Sequence, residues 1–182
     1  MVDVIGTVPS GLETKVYDLA GIILEKKFDL VEQLLNMNPS VKTVFGLETI
    51  RGVETVPSGL GKANTKGENQ MSPIDAVCLL IREENGKVVD GKSDPLTFST
   101  LKQLFSIARL LLEKGAKIEP GPCQTMLRLA IQYKEEKLRW LLKATLFTRE
   151  FLEADLKVHT NEANEISNIL QVKTKLEKLD RN

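Results

Sequence analysis

The residues that could do chemistry in this 182-residue chain are few and scattered. Gly59-Leu60-Gly61-Lys62 has the Gly-x-Gly-Lys core of a phosphate cradle, but it lacks the preceding glycine spacing and the hydroxyl residue that a nucleotide-binding loop needs. The single histidine, His159, stands in a polar stretch with no cysteine or carboxylate cluster beside it, so it makes no metal site and reads as a surface residue. Cys123 follows Pro122 near a helix start, where a thiolate could be stabilised. With no histidine near it in sequence, it reads instead as a structural thiol, as does Cys78. Glu83-Glu84 and Glu135-Glu136 lie at polar helix ends, where adjacent carboxylates are usually solvated. The paired-cysteine, His-Glu-x-x-His and nucleophile-elbow patterns are all missing from the chain. The sequence therefore reads as a non-enzyme, with no catalytic residue, cofactor or metal ligand assigned.

The elements that would position any site are helical. Apolar residues Tyr17, Leu19, Ala20, Ile22, Ile23 and Leu24 precede a second run in which Phe28, Leu30, Val31, Leu34 and Leu35 share one helical face. Ser72-Pro73 opens a third helix, with serine as N-cap and proline in the first turn. The turn signals Asn85-Gly86, Asp90-Gly91 and Asp94-Pro95 predict that this helix stops near Gly86 and that residues 82–100 form an insertion. Helix resumes at about residues 97–100 and ends at Gly115, a plausible cap. Further helices are expected over residues 124–133, 135–143, 148–156 and 161–179. A second insertion, polar and glycine-rich, covers residues 42–71. It contains Thr55-Val56-Pro57-Ser58-Gly59-Leu60, an exact copy of residues 7–12. Pro-Ser-Gly supports a tight turn, and two similar turns explain the copy better than a repeated ligand loop does.

Helical pairs recurring down a chain prompt a search for repeats. Residues 107–118, Ile-Ala-Arg-Leu-Leu-Leu-Glu-Lys-Gly-Ala-Lys-Ile, resemble the second helix and turn of an ankyrin repeat, with Lys117 where aspartate is common. Ser72-Pro73-Ile74-Asp75-Ala76-Val77 is similar to that family's first-helix signature. Thr125-Met126-Leu127-Arg128-Leu129-Ala130, followed by Leu138, Leu141 and Leu142, resembles the next repeat. The resemblance implies an all-α fold: an ankyrin-like stack of helix-turn-helix pairs with long loop insertions and a C-terminal helical cap. The expected layout is a lead over residues 1–15, repeats over 16–147 and terminal helices over 148–182.

It also implies a protein-binding module or adaptor that uses finger loops and the inner helix face. The expected contact residues are Val56, Pro57, Leu60 and Lys62 on the long loop, Lys117 and Glu119 at a turn, and Arg128 and Gln132 on the inner face. Trp140, the one tryptophan, is expected to be covered by the terminal helices, and is otherwise a binding anchor. The expected partner is another protein, with the chain a monomer or part of a partner-bound complex. Lys and Arg (25) balance Asp and Glu (25), which argues against a nucleic-acid footprint. The charge is nevertheless uneven, since residues 101–143 hold nine basic and four acidic side chains. No apolar run is long enough for a bilayer and no secretory signal is visible, so a cytoplasmic protein is expected, in a host cytosol if it is a bacterial effector. Two alternatives remain: an enzyme with a site in residues 42–71, using Lys62 and Lys66, and an assembly protein that oligomerises through residues 161–179.

Overall fold

The computed structural model describes residues 19–36, 71–158 and 162–181, and these are all-helical, with eight helices and no strand among them. The copied hexapeptides, nearly all of the 42–71 segment and His159 lie outside the described residues. The chain divides into two compact units, residues 1–117 and 118–182.

In the first unit, α1 (Leu19–Leu24) and α2 (Phe28–Asn36) form a hairpin, and α3 (Pro73–Val89) and α4 (Pro95–Glu113) form another. The buried residues of α2, Phe28, Val31, Leu34 and Leu35, recur at helical spacing, so the helix has one face to bury. The two hairpins stack helix for helix: α1 packs on α3, and α2 on α4. Ile74, Val77, Ile81, Leu101, Leu104, Phe105 and Leu111 fill the core between them with almost no exposure.

Two capping boxes set where the long helices begin. The Ser72 Oγ accepts the Asp75 amide at 3.2 Å, and the Asp75 carboxylate accepts the Ser72 amide at 3.4 Å. Asp94 and Thr97 repeat the arrangement at 2.8 and 3.2 Å. Asp94-Pro95 is thus a helix start of the same kind as Ser72-Pro73, and α4 begins at Pro95 rather than near residue 97.

The expected insertion over residues 82–100 is not a loop. Helix α3 runs through Asn85-Gly86 to Val89, and only residues 90–94 connect it to α4. A glycine inside a helix costs about 1 kcal/mol. Burial of Leu80 and Ile81 and the tie of Glu84 to Lys87 at 3.0 Å outweigh that cost. Glu84 is 3% exposed and also meets Lys26 of the α1–α2 turn at 3.7 Å, which joins the two hairpins.

The second unit holds α5 (Pro120–Gln132), α6 (Glu136–Leu146), α7 (Arg149–Val158) and α8 (Ala163–Arg181). Helix α5 starts at Pro120, ahead of the expected residue 124, because Pro120 and Pro122 fall in the first turn, where no amide is needed. α5 packs on α6, and α8 packs on both α6 and α7. Ala144, Leu152, Ile166 and Ile169 form the core there, covered by Trp140, Phe147, Leu156, Leu170, Val172 and Leu176.

One turn motif recurs. The Lys26 amide donates to the Ile23 carbonyl and the Lys27 amide to the Ile22 carbonyl. Lys134 and Glu135 repeat both bonds, to Ile131 and Ala130. Gly91 and Gly115 do the same after α3 and α4. All four turn residues have positive φ (62°, 59°, 73° and 97°), the left-handed C′ position of a Schellman motif. Hairpins α1–α2 and α5–α6 thus share the same three-residue connector, with a lysine where glycine is the usual choice.

Candidate functional site

Helix α5 buries Cys123, Met126, Leu129 and Ala130, which fall on one face. That periodicity turns Arg128 and Gln132 outward, and both are exposed. It also leaves Ile131 out, and this aliphatic side chain is 51% exposed. Ile131 leads into a groove of about 310 Å³, lined by Ala130, Ile131, Lys134, Glu135, Glu136 and Arg139. The Schellman turn at Lys134 reverses the chain there and brings the first turn of α6 alongside the end of α5.

The charges of this surface are unequal. Arg139 is engaged, with Glu136 at 3.5 Å and Glu165 at 3.8 Å. Lys143 donates to Glu165 at 2.5 Å. That hydrogen bond, helped by the charges of Lys143 and Arg139, holds the Glu165 carboxyl below its ordinary value against the opposing effect of burial. Arg128 and Lys134, both exposed, have no ion-pair partner among the described residues. Glu135 is the one carboxylate of the groove without an ion pair among them.

The expected contact residues separate accordingly. Val56, Pro57, Leu60 and Lys62 lie outside the described residues. Lys117 is exposed at the end of the first unit, and Glu119 is exposed at the start of the second. Arg128 and Gln132 share the α5 surface. Trp140 packs, half-buried, against the Ala144–Leu152–Ile166–Ile169 core. Ile131 and Lys134 were not among the expected residues. Ile131 was legible, because it steps off the Cys123–Met126–Ala130 stripe, whereas the left-handed lysine carries no local signal.

Cys123 is fully buried, its thiol donates to the Leu142 carbonyl at 3.6 Å, and burial pushes its pKa up to about 11. Among the described residues, no group of three or more histidine, cysteine, aspartate or glutamate side chains could hold a metal ion. No helix there is long and apolar enough to cross a membrane. No protein-family model, curated protein or solved structure matches the chain.

Proposed function

We propose that this protein is a protein-binding module built from helical hairpins, and that it engages its partner through the exposed face of α5 and the groove at the α5–α6 turn. The observation that carries this reading is Ile131, a half-exposed aliphatic side chain that lines a groove, between Arg128 and Lys134, which have no ion-pair partner among the described residues. An apolar centre with a polar rim is the usual anatomy of a contact surface. The ankyrin-type reading of the hairpins draws support from the helix-for-helix stacking in the first unit and from the connector shared by α1–α2 and α5–α6. The α3–α4 pair departs from it, since helices of 17 and 19 residues already exceed a repeat of about 33. Two cysteines outside any disulfide suit a reducing, cytoplasmic setting and a role as an adaptor, effector or regulatory subunit. Assembly through residues 161–179 is the weaker reading, because Ile166, Ile169, Leu170, Val172 and Leu176 are already packed within the unit.

Affinity capture from the native source, comparing the wild type with Ile131→Arg, tests the reading. A protein should be retained by the wild type and lost with the variant while the melting temperature stays unchanged. Identical retention by both proteins would sink the proposed site.

A further inference from the structure

We infer that the surface formed by α5 and the α5–α6 groove takes an acidic peptide segment carrying an aliphatic anchor residue. The inference rests on the partner-binding reading above and adds the partner's chemistry.

The charge of the surface sets the sign of its partner. Two exposed cations beside Ile131, Arg128 on α5 and Lys134 in the groove, have no ion-pair partner among the described residues. Against them stands one carboxylate without a pair, Glu135, since Glu136 is held by Arg139 and Glu165 by Lys143 and Arg139. Arg128 lies one turn before Ile131 on the same helix, and Lys134 lines the groove with it. A segment that lays an aliphatic side chain over Ile131 therefore meets positive charge on either side of its anchor. Complementary charge at a rim steers association and excludes basic competitors.

The groove sets the size of the anchor. About 310 Å³ stands at the lower limit for small-molecule pockets, which suits one or two aliphatic side chains better than a cofactor. Nucleic acid fits less well. Two cations would neutralise few phosphates, and the exposed apolar group is an aliphatic side chain with no ring on which a base could stack.

Selection of displayed random 12-residue peptides against the full chain tests the inference, followed by affinity measurement of the enriched peptides by fluorescence polarisation. Enriched sequences should carry Asp or Glu around Leu, Ile or Met. Their affinity should fall about fivefold with Arg128→Glu, by a similar factor with Lys134→Glu, and further as salt rises. Ile131→Arg should abolish binding. Peptides without acidic bias that still depend on Ile131 would overturn the inference and leave the partner-binding reading standing. Peptides indifferent to Ile131→Arg would overturn both. A 12-nucleotide oligothymidylate that binds as tightly, with the same dependence on Arg128 and Lys134, would also overturn the inference.

Discussion

Two lysines occupy a backbone conformation that disfavours any side chain. Lys26 and Lys134 sit at φ 62° and 59° in matching turns, at a cost of roughly 1 kcal/mol each relative to an unstrained residue. Their surroundings differ. Lys26 reaches the buried Glu84 carboxylate, whereas Lys134 has no ion pair among the described residues. Lys134→Gly should therefore stabilise the protein by about 0.5–1 kcal/mol in urea unfolding. Lys26→Gly should gain less, because it also removes a partner of Glu84; equal gains would mean that the Glu84 contact contributes nothing. Keeping a strained lysine beside the groove makes sense if its charge is used there, which is the role given to Lys134. Glu165 gives a second test at this scale. Its folded pKa is depressed, chiefly by the hydrogen bond from Lys143, so its contribution to stability is present above the unfolded carboxylate value and is lost as pH falls through the folded one. Lys143→Met should flatten the loss of stability below about pH 4.5, the ordinary glutamate value. An acid limb as steep as that of the wild type would contradict this assignment.

The helices differ in how much of each was legible in the sequence. Apolar periodicity placed α1, α2 and α5–α8 to within a few residues, because their apolar residues recur at helical spacing. It failed at residues 82–100, where Asn85-Gly86 has the local chemistry of a turn but lies in a helix held by burial of Ile81 and Glu84. Of the three turn signals there, Asp90-Gly91 makes the turn, with Gly91 at φ 73°, and Asp94 caps the next helix. Tertiary burial decided the outcome, and it is not visible in a window of ten residues. The candidate site was half legible: helical spacing put Arg128 and Gln132 outward, whereas the groove depends on a chain reversal around a non-glycine residue. Helix α7 shows how unequal the two sides of one element are. Leu152 is buried in the core with Ile166 and Ile169, whereas Val158 is 72% exposed. Leu152→Ala should cost about 3 kcal/mol, and Val158→Ala less than about 0.5 kcal/mol. Comparable losses in chemical unfolding would refute this account of how α7 packs.

For the molecule as a whole, zero net charge conceals a basic stretch over residues 101–143, which includes most of α4, α5 and most of α6. Of the cations in that stretch, Arg109, Arg139 and Lys143 form ion pairs, whereas Arg128 and Lys134 have no ion-pair partner among the described residues. Partner binding through this one surface is the central claim, and contact at a single residue tests it most directly. A photo-reactive phenylalanine analogue would replace Ile131 in one protein and Val158, an exposed residue at the end of α7, in a second. After irradiation in the native source, the covalent products would be separated and sequenced. The account predicts a specific protein adduct from position 131 and none from position 158. Adducts from position 158 with none from 131 would contradict it.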